Sequence, residues 1–311
     1  MAGLPLIVIL GPTAVGKTAL AVELAARYGG EIVSADSRHF YRGMDIGTAK
    51  PTPEERARAP HHLVDIADPD ATISLGRYLR LARAAIARLA AQGKLPFLVG
   101  GTGQYIRALL EGWQVPEVPP QPELRAALEQ VEAEKLWGWL TALDPQAAAI
   151  VDRRNRRRVI RALEVILVSG QPFSAQRRRE PPPYRTLLLG LRMERTALYA
   201  RADRRVEAMF AAGLEAEVRR LVEAGYDWSL PAMSALGYRQ FRPYFAGEAG
   251  LAEVEAAIKA ETRTFIRRQW TWFRPLRGVH WLDATSPALV AEAAQQVESF
   301  CAAGLQETGT P

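Results

Sequence analysis

Apolar positions along this chain fall into two patterns. The first is a set of short, nearly unbroken runs: Leu6–Leu10, Glu31-Ile-Val-Ser-Ala-Asp36, Leu95–Gly100 and Thr186–Leu191. They are too short for helices and too continuous for half-exposed strands, so they predict strands buried on both faces. His61-His-Leu-Val-Asp-Ile66 predicts a short third strand or the approach to one, and Val279–Leu282 a last one. The second pattern recurs with helical spacing. It covers 74–92 with Ser74 as cap and Gly93 as stop, a turn at Gly101–Gly103 leading into a helix to Glu111, 156–168, 195–224 with Gly225 as stop, and 251–273. Val159, Leu163, Ile166 and Leu167 supply the apolar face of the 156–168 helix. Strands alternating with helices predict a parallel α/β sheet flanked by helices.

The rhythm breaks between Gln114 and Pro122, where four prolines stand among nine residues. Helical pieces over 123–134 and 135–143 follow, then Asp144-Pro145. The expected division is a core of residues 1–115 and 151–311, with a helical insertion domain over 116–150. No internal repeat is visible, and the tail 307–311 is expected to be disordered.

Between the first strand and the first helix stands Gly11-Pro-Thr-Ala-Val-Gly-Lys-Thr18, a loop of the form G-x-x-x-x-G-K-[ST]. Gly11 and Gly16 let the backbone curl so that successive N–H groups of the loop, which runs through Pro12, Thr13, Ala14 and Val15, turn inward as an anion nest. The following helix directs its positive end at the same point. Lys17 adds a mobile cation, Thr18 offers a hydroxyl of the kind that ligates Mg²⁺, and Thr13 can donate a further hydrogen bond. The competing reading is a chance glycine-rich turn, and the strand–loop–helix context counts against it.

Composition narrows the class. The 311 residues are 48% hydrophobic and 24% charged, ordinary for a globular chain. No apolar run approaches the length of a membrane span, and no basic leader precedes the first strand, so no membrane association and a cytoplasmic location are expected. The single cysteine, Cys301, excludes an internal disulfide and fits that location. Net charge is +6, and 35 of the 40 basic residues are arginines, whose flat fork suits phosphates and base edges. A compositional bias of the genome explains the overall count equally well; the local clusters favour function.

A phosphate loop alone fits a hydrolase, a switch, a kinase or a transferase. Nucleotide hydrolases usually carry an apolar strand ending in Asp. The best later strand, Leu95–Val99, ends instead in Gly100-Gly-Thr-Gly103. The acid stands on the second strand, at Asp36, where strand ends face the ligand crevice of an open parallel sheet. It could ligate metal, cap a turn or act as general base.

Several blocks resemble the tRNA dimethylallyltransferase family. They are the phosphate loop, Ser34-Ala-Asp-Ser37, Tyr41-Arg-Gly-Met-Asp-Ile-Gly-Thr-Ala-Lys-Pro51, His61–Ile66, Leu98-Val-Gly-Gly-Thr102, Arg161-Ala-Leu-Glu-Val165, Gly237-Tyr-Arg-Gln240 and Arg268-Gln-Trp-Thr-Trp272. They occur in family order from residue 6 to about 274. The block from Tyr41 to Pro51 is the most specific.

The resemblance implies transfer of a dimethylallyl group from dimethylallyl diphosphate to N6 of adenine 37, next to the anticodon in tRNAs reading codons that begin with U. It implies a loop that holds a leaving group, with Mg²⁺ on Thr18. By motif position, Thr13 would touch the diphosphate, Arg205 would bind it, and Asp36 would be the general base. The anticodon stem-loop would meet Asp36, Ser37, Arg38, His39, Thr102, Arg125, Arg157, Arg158, Arg161, Gly237, Tyr238, Arg239, Arg267, Arg268, Gln269 and Arg274. A base that must leave its stack implies flipping.

The arginine runs agree with an RNA partner. Helical spacing puts Arg154, Arg158 and Arg161 on one side, and Arg267–Arg274 mixes arginines with aromatics suited to backbone contact and stacking. The bland alternative is a solvated charged face, and Arg204 fits it best. His39, Asn155 and Arg157 depart from the usual family residues. A monomer is expected. Competing functions are an isopentenyltransferase acting on free adenine nucleotide, a small-molecule kinase and a non-catalytic RNA-binding protein. The arginine-rich segments oppose the first, the missing acid after Val99 the second, and the intact Lys17, Thr18 and Asp36 the third.

Overall fold

The computed structural model of the chain describes residues 3–308. Six strands form one sheet: β1 (Leu4–Leu10), β2 (Glu31–Ser34), β3 (His61–His62), β4 (Pro96–Gly100), β5 (Tyr184–Arg192) and β6 (Val279–Asp283). Their order is β3-β2-β4-β1-β5-β6, and every pairing is parallel. The central strand β1 is buried along Leu6–Leu10, and Ile7, Ile9, Phe97, Leu189 and Leu191 join one core cluster with the helix that follows the phosphate loop. That explains the unbroken apolar runs: helices cover both faces, so no position is left for a polar residue.

Strand order decides what meets. β2, β4 and β1 are neighbours and run the same way, so their carboxyl ends lie side by side. The phosphate loop follows β1, Asp36 follows β2, and Gly101 follows β4. Three segments far apart in sequence therefore converge on one edge.

The expected third strand is shorter than its apolar run. Only His61 and His62 pair, because Leu63 and Asp65 take left-handed φ values of 61° and 56° and turn the chain away. Asp65 is held there by Lys50 and Arg56 at 2.5 and 2.8 Å. A short helix, Pro53–Arg58, was not legible from apolar spacing; Thr52 and Glu55 build its capping box. The helix Leu289–Thr308 runs through Glu307 and Thr308 of the tail expected to be disordered, and residues 309–311 lie outside the described residues.

The chain divides into two compact units, residues 1–108 with 183–311 and residues 109–182. The second is larger than the expected insertion of 116–150. Its core is shared between helices Pro122–Glu129, Ala133–Leu143 and Arg156–Ser169, through Leu128, Leu136, Leu140, Val159, Ile160 and Leu163. Residues 151–182, assigned by sequence to the core, thus pack with the insertion. In that third helix Ile160 is buried and Leu167, expected on the apolar face, is 53% exposed in the final turn. The helix begins at Arg156 with Asn155 as its cap, so Arg154 precedes it and does not share a helical face with Arg158 and Arg161.

Candidate active site

The loop 11–18 is built as its spacing predicts. Gly16 adopts φ 108° at the N-terminal cap of helix Lys17–Arg27, a conformation that only glycine takes without strain. Ala14 stands at φ 63°, a left-handed value rare for a residue with a side chain. Together these turns curl the backbone over the helix end. The Lys17 ammonium donates to the Pro12 carbonyl at 2.8 Å, spanning the loop.

The pocket beside it is lined by Thr13, Lys17, Thr18, Ser34, Asp36, His39, His61 and Arg205, among others. Burial pushes the Lys17 ammonium down to about 7; Asp36 opposes that shift and Arg205 reinforces it. Arg205 comes from helix Arg195–Ala211 and reaches Thr13 Oγ1 with Nη1 at 3.5 Å. One turn earlier, the guanidinium of Arg201 lies 3.5 Å from where a Cβ on Gly16 would stand. Cations thus surround the loop from two sides, as an anionic ligand requires.

Asp36 takes one of the roles left open by sequence, that of a turn cap. Its Oδ1 accepts from Arg38 N at 2.9 Å and closes a turn. Its Oδ2 carries no hydrogen bond among the described residues, and the carboxylate faces the pocket. Ser37 N donates to Thr102 Oγ1 at 3.1 Å, and Thr102 N to Ala35 O at 3.1 Å, which joins the Asp36 loop to the turn after β4. Arg38 Nη1 donates to Pro231 O at 2.7 Å. His39 Nδ1 lies 3.1 Å from Ser34 Oγ, and burial holds the imidazole below its ordinary pKa, so it is neutral near pH 7.

Other sequence-selected residues are distributed unevenly. Tyr238 is fully buried and its hydroxyl donates to Glu217 Oε1 at 2.6 Å, while the Gly237 amide donates to Gln240 Oε1 at 2.9 Å. Of that stretch only Arg239 reaches the surface, paired with Glu261. Gln269 is buried, bonded to Thr13 N and to Gly101 O. Arg267, Arg268 and Arg274 are exposed, and Arg267 Nη2 donates to Thr264 Oγ1 at 2.8 Å. In the second unit Arg157 and Arg158 are exposed, whereas Arg125 and Arg161 are committed to the buried Glu164 at 2.8 and 2.5 Å.

Two acids that shape the molecule escaped the sequence reading. Glu217 accepts from the amides of Asp45, Ile46 and Gly47 at 2.8–3.1 Å and so fixes the segment that carries Thr48 and Ala49 into the pocket. Glu164 anchors the second unit. Both stand at apolar positions of helical patterns, among Leu214, Val218 and Leu221 or Leu163 and Ile166. A carboxylate in such a place is the available signal.

A divalent cation would find few protein donors at this site. Among the described residues no group of three acids, histidines or cysteines could cage a metal. One threonine hydroxyl beside a phosphate-binding loop instead suits Mg²⁺ held largely by substrate oxygens. Among the described residues, no helix is long and apolar enough to cross a membrane.

A parallel sheet with a phosphate loop and a carboxylate lining the same pocket defines a phosphate-loop site, and comparison with known proteins places it among transferases. Residues 39–276 match the family model described as IPP transferase, and residues 4–63 that described as isopentenyl transferase. The chain belongs to the IPP transferase family. It is 57% identical over 301 residues to the tRNA dimethylallyltransferase of Roseiflexus sp. (strain RS-1), covering 96% of this chain and 99% of that one. The corresponding protein of Thermomicrobium roseum is 49% identical over 94% of this chain and 91% of its own. Among solved structures, the full-length tRNA isopentenylpyrophosphate transferase of Bacillus halodurans is similar, with TM-score 0.72 and 38% identity over 98% of this chain and 97% of that one. A eukaryotic dimethylallyltransferase acting on tRNA superposes with TM-score 0.81 and 27% identity, over 94% of this chain and 77% of its own.

Proposed function

We propose that this protein transfers the dimethylallyl group of dimethylallyl diphosphate to N6 of adenine 37 in tRNAs that read codons beginning with U. The observation that carries this reading is the pairing of a cation-ringed phosphate loop with Asp36 across one pocket. A kinase needs the loop to hold the group being moved; here the loop would hold the group that leaves.

The diphosphate would lie against the loop amides, with Lys17 and Arg205 meeting its charge and Thr13 offering its hydroxyl. The adenine N6 would approach from the Asp36 side. The exocyclic amine is a weak nucleophile because its lone pair is delocalised into the ring. The Asp36 carboxylate would orient an N–H and accept its proton as the N6–C1 bond forms. The C1–O bond breaks, and its electron pair departs with the diphosphate. The cations are already arranged where that charge develops, which is the main source of acceleration in such sites. Mg²⁺ on Thr18 would add further charge neutralisation on the diphosphate when bound.

RNA would be held by exposed arginines, Arg267, Arg268 and Arg274 in one unit and Arg157 and Arg158 in the other, with Ser37, Arg38, His39, Thr102 and Arg239 near the reacting base. Contacts to phosphate should weaken steeply with salt. The protein is proposed to act in the cytoplasm as a monomer.

Purified protein, Mg²⁺, labelled dimethylallyl diphosphate and unmodified tRNA test the reading directly. Label should enter the RNA at adenine 37. No label in RNA overturns it, and label in free adenine nucleotide, or phosphate transfer from ATP, would replace it with one of the competing functions.

A further inference from the structure

Gln269 lies on helix Leu251–Phe273, in a stretch whose neighbours Arg267 and Arg268 face solvent. Its own side chain points the other way and is 3% exposed. The positions Thr262, Ile266, Gln269 and Phe273 form the buried stripe of that helix, so a polar amide occupies a place where the pattern calls for an apolar residue. Such a group needs partners. It has two: Oε1 accepts from Thr13 N at 2.8 Å, and Nε2 donates to the Gly101 carbonyl at 2.9 Å. Only one orientation of the amide satisfies both, since a flipped amide would set N–H against N–H and carbonyl against carbonyl.

Three consequences follow for the site. The Thr13 amide is turned outward to Gln269, so the inward-facing amides of the nest begin after Thr13. Thr13 contributes its hydroxyl, which Arg205 reaches at 3.5 Å. The turn after β4 is tied to the lip of the phosphate loop by one side chain. Gly101 is shaped for that contact: a Cβ there would stand 2.4 Å from Nε2. With both ends of the amide engaged and only 3% of the residue exposed, Gln269 presents almost no surface to an RNA strand.

We propose that Gln269 is a positioning residue for the phosphate loop, holding Thr13 so that its hydroxyl and Arg205 meet the departing diphosphate. This rests on the transferase reading above and assigns Gln269 a role distinct from the RNA contact that motif position suggests. Misplacing a pre-set group by about 1 Å can cost on the order of 10²-fold in rate.

The test compares wild type, Gln269→Leu, Gln269→Glu, Thr13→Val and the double variant Thr13→Val with Gln269→Leu. Single-turnover rate, KM for dimethylallyl diphosphate, Kd for tRNA and melting temperature are measured for each. Gln269→Glu keeps an acceptor for Thr13 N but sets an oxygen against the Gly101 carbonyl. Both Gln269 variants should fold, retain tRNA affinity within about twofold, and lose about 10²-fold in rate. The double variant should be no slower than the slower single variant, because both act through the same hydroxyl. A loss of tRNA affinity with rate preserved overturns the proposal, as do fully multiplicative losses in the double variant. Absence of any folded fraction in both Gln269 variants also counts against it, since positioning predicts a folded, slow enzyme. If wild type itself fails to label RNA, the transferase reading falls; if wild type labels RNA and the Gln269 variants match it, only this inference falls.

Discussion

Two sites, one in each unit, hold ionised groups in opposite ways. In residues 109–182, the fully buried Glu164 is saturated. Arg125 meets both of its oxygens at 2.8 Å, Arg161 reaches Oε2 at 2.5 Å, and Gln121 N donates at 2.7 Å. In the sheet unit, Lys17 has a carbonyl, Arg205 has a hydroxyl at 3.5 Å, and Asp36 uses one oxygen for a turn. Among the described residues, no ion pair closes that set. A buried charge with every site filled specifies a fold; charges gathered with few partners, and with Lys17 pushed down to about 7 by burial, are set for a ligand that brings the missing charge.

The sharpest test of that contrast is Asp36→Asn. The amide oxygen can still accept from Arg38 N, so folding and tRNA affinity should persist, while turnover falls by about 10²–10⁴-fold. Turnover near wild type would remove the general base. Next is Arg205→Gln, expected to lower kcat/KM for dimethylallyl diphosphate by about 10²-fold with melting temperature unchanged or raised. A clear drop in melting temperature would show that this cation serves the fold after all.

Glu164→Gln should do the reverse. Breaking a fully buried pair costs about 3–5 kcal/mol; Arg125 and Arg161 keep some solvent, so about 2–3 kcal/mol is expected here, measured by urea unfolding. Burial alone would raise the Glu164 carboxyl. Arg125, the Gln121 amide and Arg161 outweigh that and hold it below its ordinary value near 4.5. The sign follows: this stability is present above about pH 4.5 and is lost as pH falls through the lowered folded value. Acid should therefore loosen wild type more than Glu164→Gln, read by helical circular dichroism. The smallest effect is expected at Tyr78, stacked on Tyr105 at 4.0 Å with its hydroxyl buried and without a hydrogen-bond partner among the described residues. Tyr78→Phe removes an unsatisfied group and should change stability by less than about 0.5 kcal/mol, or raise it slightly.

Much of this was legible in order along the chain. The apolar runs marked the strands because burial on both faces leaves no polar position, and Ser74 marked the start of its helix because its side chain caps Arg77 N. The phosphate loop was legible because local turns and a helix end are set by adjacent residues. Less legible were partners distant in sequence. Motif position grouped Arg125 and Arg161 with Arg157 and Arg158, yet the first two bind Glu164 and the others face solvent. Tyr238 and Gln269 were grouped with their exposed neighbours and are buried.

Sequence by itself determined the alternation of strands and helices, the phosphate loop and the family, because each is written in residues close together or in blocks kept in order. Only the tertiary structure decided which side of a polar residue's helix faces inward, and so whether an arginine, tyrosine or glutamine is left exposed, meets a carboxylate or bonds the loop itself. The reason is that hydrogen-bond partners such as Gln269 with Thr13 are 256 residues apart, and only the folded sheet brings them within reach.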